Sequence, residues 1–475
     1  VFPRRNSIFS PCSLLLSAAL ALLLPGSIQS QVHSKAQQSS GSLGAEEMRQ
    51  LQEAAAADDA GRPQDAAVIL RRLESRHPDN FDVVEELGLV LAEADDLEHA
   101  FPLLKRAVML RPSSAVAHAN LGAIELKLKR TAEAVVSLRK AAELDAKNAQ
   151  NHTALGAALM QINKPAEAAQ AFAAASTLGP SDPDILYNWS VALVAAGQAG
   201  KAAEVAARIP NPEASAQVQS LLGDIAEHQN NFKEAAQHYQ QAANLDPSEA
   251  NIYVLGMEFV RHWTFEPAMK IFDYGLSRYP ASEHLLAGKG IAKYANNNYE
   301  EAAAIFSSLL GKDPDNALYA QILGRSCNLM PNATEGCNAL VDFARKHASN
   351  AEANTYAAAS ILHRPVDSQD LGLAEELLTR AVAADPKLAS AYFQLGMLRQ
   401  QQNQWEQSKA ALEKCAALDP SLSKAHYRLS LAYSHTGDKE KARAQLALYQ
   451  KYSQQEKDQA NARLEEVTTF LVSNK

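Results

Sequence analysis

Residues 120–146 read NLGAIELKLKRTAEAVVSLRKAAELDA, and residues 155–180 read LGAALMQINKPAEAAQAFAAASTLGP. Laid over each other they agree at a Leu-Gly pair, at an alanine twelve residues on (Ala134, Ala168) and at a large apolar residue four beyond (Leu138, Phe172). Both consist of two apolar-periodic segments of helical length joined by a short polar turn such as "INKP". The glycine column continues at Gly88, Gly223, Gly256, Gly290, Gly324 and Gly396, mostly about 34 residues apart, with Ser190, Ala358 and Ser430 in the missing places. Prolines close many units, among them Pro78, Pro112, Pro247, Pro280, Pro314, Pro386 and Pro420. Small side chains recur where two helices must approach closely, and the large residue lies on the same helix face, one turn after the alanine. Proline ends one unit because it cannot continue a helix. One such pair would leave an apolar face bare, so the pairs must stack.

The rest of the composition agrees. The chain has 475 residues, 6% aromatic and 21% charged, with a formal net charge of −9. That suits closely packed helices rather than a sandwich. No Lys/Arg-rich run stands out, so a nucleic-acid surface is not expected.

The N-terminus differs. Arg4 and Arg5 precede a charge-free apolar run, Cys12–Leu24, followed by Pro25, Gly26 and small residues up to Ser30. This is the layout of a secretory signal peptide over 1–30, and the run is short of the ~20 residues that span a bilayer. Export, to a periplasm or outside the cell, is the expectation, with membrane contact only through an uncleaved signal segment. Residues 31–46 (QVHSKAQQSSGSLGAE) read as a disordered linker.

The repeat resembles the tetratricopeptide repeat family: the Leu-Gly, the Ala-x-x-x-Phe/Leu and the closing Pro of the quoted stretches are its marks. The resemblance implies an all-α, right-handed superhelical α-solenoid of about twelve helix-turn-helix repeats. These start near residues 47, 81, 115, 149, 183, 216, 249, 283, 317, 351, 389 and 423. Repeats 1–5 occupy 47–210 and repeats 6–12 occupy 211–456; "RIPNPEAS" cuts the fifth repeat short, either as a joint between two sub-arrays or as an irregular connection. A capping helix is expected over 457–475, as array ends require a polar outer face.

No catalytic constellation is present. "AGKG" at Ala287–Gly290 lacks the rest of a phosphate loop, and there is no H-E-x-x-H or G-x-S-x-G. His118, His152 and His426 share the fourth place of their repeats, which points to packing rather than to a ligand set. The expectation is a non-enzymatic chain with no cofactor and no metal. The resemblance implies instead a concave face lined by the first helix of each pair, with places 2, 5, 6, 9, 12 and 13 pointing into it. Places 5 and 6 fall on Asn120, Tyr187, Asn188, Tyr253, Tyr356, Phe393, Gln394, Tyr427 and Arg428. Such amides and aromatics could hold an extended polypeptide, although the tyrosines could equally pack against the next repeat. Lys424 and Arg428, at places 2 and 6 of the last repeat, match part of the family's carboxylate clamp. Gln394 stands where that clamp has Asn, while Thr355 and Ala359 depart from it.

In this frame Cys327 and Cys337 fall at places 11 and 20 or 21 of the ninth repeat, opposite each other across an antiparallel pair. A disulfide is expected there, the alternative being two reduced core thiols; Cys415 stands at an alanine place and reads as a buried free thiol. Three functions fit. The first is an exported scaffold that binds protein or peptide segments during envelope assembly or secretion. The others are a self-associating structural array and an accessory subunit of an envelope enzyme or glycan-handling complex.

Overall fold

The computed structural model describes residues 43–330, 335–363 and 368–472; the expected signal segment and most of the linker lie outside them. The described residues form twenty-four α-helices and no strand. They divide into two compact units, 1–245 and 246–475. The first unit holds α1 (Ala45–Asp59), α2 (Pro63–Arg76), α3 (Phe81–Glu93), α4 (Leu97–Leu110), α5 (Ala115–Lys127), α6 (Thr131–Leu144), α7 (Ala149–Gln161), α8 (Pro165–Leu178), α9 (Pro183–Ala195), α10 (Ala199–Ala206), α11 (Ala216–His228) and α12 (Phe232–Leu245). The second holds α13 (Glu249–Arg261), α14 (Phe265–Arg278), α15 (Glu283–Ala295), α16 (Tyr299–Lys312), α17 (Ala317–Leu329), α18 (Ala339–Lys346), α19 (Ala351–Leu362), α20 (Ser368–Ala384), α21 (Ala389–Gln401), α22 (Trp405–Leu418), α23 (Ser423–His435) and α24 (Lys439–Val472). Odd-numbered helices are the first of each pair.

Local chemistry sets these boundaries. First helices open on side-chain caps: Asn80, Ser114, Asp182, Ser215, Ser282, Asn316 and Asn350 each accept a hydrogen bond from a backbone N–H three residues on. The turn inside ten of the twelve pairs passes through the left-handed region, at Gly61, Asp95, Lys129, Asn163, Gly197, Asn230, Trp263, Asn297, Asn403 and Gly437. Glycine and asparagine adopt that conformation at low cost, whereas Lys129 and Trp263 are held in it. At the start of the third, fourth and twelfth repeats, the ring Nε2 of His118, His152 and His426 lies 2.9–3.2 Å from the carbonyl six residues upstream. The shared histidine place therefore ties down the loop between repeats.

Pairs close by a knob against a glycine. A Cβ on Gly122 would lie 2.6 Å from Leu138 Cγ, and one on Gly256 2.6 Å from the Phe272 ring. Gly223 stands in the same relation to Tyr239, and Gly290 to Phe306. These knobs are fully buried or nearly so, and they form the spine of each unit's core. The ninth repeat departs from the rule. Its second helix, α18, is short, and the atoms nearest a Cβ on Gly324 belong to Tyr356 of the next first helix. In that repeat a disulfide joins Cys327 of α17 to Cys337 of the 3₁₀ turn Glu335–Asn338, with a Cα–Cα distance of 6.1 Å. Cys415 is free and buried, and burial pushes its thiol up to about 12.

The chain divides after Leu245, and the interrupted stretch near 210 lies inside the first unit. Although α10 stops at Ala206, Ile209 is buried in one core with Val205, Val218 and Leu221. Arg208 donates to Ser176 Oγ (3.2 Å) and the Pro180 carbonyl (2.8 Å), and Gln219 donates to the Pro212 carbonyl (3.0 Å). The broken helix is thus bonded to both neighbours. At the other end no break separates a capping helix from the last repeat: α24 runs without interruption for 34 residues, a stretch without Gly or Pro.

Candidate binding face on the first helices

Within each unit first helices touch one another as well as their partners: α1–α3–α5 and α7–α9–α11 in the first unit, and α13 through α23 in series in the second. The first helices therefore form a layer of their own, and its side chains are the candidate site.

Most of the residues at places 5 and 6 are engaged within the fold. Asn120 is buried and donates to Glu85 Oε1 (3.2 Å), tying the third repeat to the second. Asn188 donates to the Asp184 carbonyl of its own helix (2.8 Å). Tyr187 packs on the first unit's core. Tyr253 lies between Phe272 and His284, with ring centroids 6.3 and 6.4 Å away, and burial pushes its phenol above the usual range. Tyr356 covers Gly324, and Phe393 packs beside Leu412, Leu429 and Tyr433. The proposed ladder is thus largely packing. What remains open is concentrated at the end of the second unit. Lys424 is exposed, Tyr427 is 42% exposed with its ring 5.3 Å from Tyr449, and Arg428 is half-buried.

The structure adds Arg325, Asn328, Gln400 and His363, at places 9, 12 and 13, which were not singled out, and sets them beside Gln394 and Arg428. Gln394 is only 3% exposed and donates to Asn328 Oδ1 (3.2 Å) across two repeats, while its own Oε1 is buried without a partner. Half-buried Arg325 donates through Nε to Tyr356 Oη (3.4 Å). The His363 imidazole is held below its usual pKa, first by burial and further by the charges of Lys424 and Arg428, against a contact with the Cys327 backbone that raises it. Arg428 and Gln400 bond each other twice, Nη1 to Oε1 (3.3 Å) and Nε2 to the Arg428 carbonyl (3.0 Å). The signal for Arg325, Asn328 and His363 was in the sequence, at groove places beyond 5 and 6.

The first unit carries the opposite charge on its first helices. Burial, reinforced by Asp58, Asp59 and Glu93, pushes Glu86 up to about 7. Glu85 also rises to about 7 through burial, although the Asn120 bond and Arg111 oppose the shift. The carboxyl groups of Asp58 and Glu93 bond each other, and both are raised, first by burial. Among the described residues no helix is long and apolar enough to cross a membrane.

Models of the tetratricopeptide repeat match residues 51–115, 115–148, 159–225, 216–249, 265–325 and 393–456, more than half of the chain. The chain belongs to the tetratricopeptide repeat family. No curated protein matches it. Among solved structures, a tetratricopeptide repeat protein from Parabacteroides merdae is 16% identical, with a TM-score of 0.44 over 52% of this chain and 98% of that one. YrrB, described as a TPR protein with an unusual peptide-binding site, is 19% identical over 38% of this chain and 93% of its own, with a TM-score of 0.35. A chain of the APC/C hetero-tetramer Cut9–Hcn1 covers 90% of this chain and 97% of its own at 12% identity, with a TM-score of 0.36. As a repeat array of this family, the molecule is a protein-interaction scaffold.

Proposed function

We propose that this tetratricopeptide repeat protein is a non-enzymatic, exported scaffold that holds protein or peptide segments along its first-helix layer. The observation that carries the reading is Gln394: a buried amide, fixed by Asn328, whose Oε1 has no partner. A buried acceptor left unpaired is costly, and a backbone N–H from a bound segment would satisfy it. The exposed Tyr427 and Lys424 on the neighbouring first helix supply contact area and charge. Export rests on the charge pattern and apolar run of residues 1–30.

A photo-crosslinking amino acid placed at Tyr427 tests the binding reading, with the same group at Val136, an exposed second-helix position, as control. A discrete protein adduct is expected from position 427 and none from 136; equal labelling from both overturns it. Recovery of only the chain's own dimer from position 427 would support a self-associating array instead. For export, cell fractionation with N-terminal sequencing of the mature chain is expected to find a start near residue 31.

A further inference from the structure

We propose that docking of the first repeat on the second is proton-linked, so that α1 and α2 open away from α3 more readily as the medium turns from acid to neutral. The device lies in the seam between the two repeats and is independent of the scaffold reading.

Asp58, near the end of α1, meets Glu93, at the end of α3, and their carboxyl groups bond each other. Two carboxylates are acceptors only, so one of these oxygens must carry a proton. Asp58 Oδ1 is buried and accepts no hydrogen bond, a costly place for a charged oxygen. Half-buried Glu86, two turns before Glu93 on α3, faces the same group and Asp59. Burial, helped by these neighbours, holds Glu86 up at about 7 and raises Asp58 and Glu93 as well.

The cations around the seam are engaged elsewhere. Arg62, which opens α2, pairs with Asp65 (3.3 Å), and Arg71 pairs with Asp96 (3.9 Å). Arg72 is exposed, and Arg76 acts on Glu47 at the far end of α1. From α4, Arg106 pairs with Glu74 and Lys105 acts on Glu125. Arg111 pairs with Asp82 (3.5 Å) and lowers Glu85, which faces α5 through Asn120. Lys127 of α5 acts on Glu93, while its ammonium donates to the Ala92 carbonyl (3.3 Å). The remaining titratable contact, His77 Nε2 with Glu47 Oε1 (2.8 Å), joins α1 to the loop after α2 at the opposite end.

Apolar packing opposes the repulsion: Ala54 and Ala57 of α1 share a core with Leu70 of α2 and with Leu87 and Leu91 of α3. This pair ends the described array and has a repeat on one side only, so local opening releases it most easily. Opening uncovers Leu87 and Leu91 and shortens the first-helix layer by one repeat. Docked carboxyls hold protons that released ones give up. The docked state is therefore favoured at acid pH and loses that support as pH rises through about 7, where Glu86 titrates.

Hydrogen exchange of the full chain at pH 5 and pH 8, corrected for the intrinsic rate at each pH, reads the opening. Protection of α1 and α2 is expected to fall at least about tenfold at the higher pH, since each released proton contributes up to about a factor of ten per pH unit. Helices α7–α9 should stay unchanged. Asp58→Asn/Glu86→Gln keeps the side-chain shapes without the charges, and its new amide N–H at position 58 can donate to Glu93. This variant should hold the acid-state protection at pH 8, and Glu93→Gln should do the same in part. Equal protection of α1 and α2 at both pH values in the wild type, a comparison that needs no variant to fold, overturns the proposal. A fall that persists in both variants assigns the effect to His77 and overturns it too. A fall shared equally by α7–α9 overturns the local opening.

Discussion

At the scale of single residues, glycines and carboxyl groups bear the sharpest consequences. Gly256 has no room for a methyl group, because the fully buried Phe272 ring occupies its place. Gly256→Ala is expected to lower stability by about 1–3 kcal/mol, the usual cost of overpacking a tight core, read as a fall in the urea midpoint. Glu85 and Glu86 titrate near 7 in the folded chain against a usual value of 4.5. Between those values the folded state binds more protons than the unfolded one, so these two groups make stability fall as pH rises from about 4.5 to 7. The urea midpoint is therefore expected to drop between pH 5 and pH 8, and Glu86→Gln should flatten the slope. A midpoint that rises over this range in the wild type, with no change of slope in the variant, would refute the assignment. The acidity of these positions was legible in the sequence, since Asp58, Asp59, Glu86 and Glu93 stand at groove places of the first two repeats. Their depth was not, because it depends on which neighbours cover them.

At the scale of elements, the ninth repeat and the intra-pair turns stand out. The Cys327–Cys337 disulfide closes a ten-residue separation where α18 is short and Gly324 has lost its usual knob. Removing it with Cys337→Ser is expected to cost about 2–3 kcal/mol by the loop-closure argument. Thiol labelling of the denatured chain, prepared from residue 31 onward and without reductant, should find one reactive group, Cys415; three would show that the bridge is absent. The turn after α5 holds exposed Lys129 at φ 59°. Lys129→Asn should relieve that conformation and raise the melting temperature slightly, by an amount worth up to about 1 kcal/mol. Helix starts were legible here because caps, turn residues and the apolar period agree locally. The unbroken α24 was not expected because the sequence suggested a change of role at 457, yet nothing in it stops a helix.

At the scale of the whole molecule, neighbours govern stability and neighbours also govern the binding face. Contacts run from each helix to the next few in sequence, so a local lesion should stay local. Hydrogen exchange of Gly256→Ala is expected to lose protection in α13–α16 and to leave α1–α4 unchanged; uniform loss across the chain would contradict the additive picture. The sequence by itself determined the repeat, its period and the start of nearly every first helix. A 34-residue pattern repeats its instructions about twelve times, and each instruction is read within one helix pair. Only the tertiary structure decided which groove residues remain available. Asn120 and Tyr356 are engaged by a neighbouring first helix, Asn188 by its own helix, and Gln394 by an asparagine 66 residues away, while Lys424 and Tyr427 stay exposed. It also showed how the interrupted repeat is held, with Ile209 buried between its neighbours and Arg208 bonded to the Pro180 carbonyl. Local pattern specifies an element, whereas the unsatisfied charge or acceptor that recognises a partner is whatever the packing of several repeats leaves unmatched.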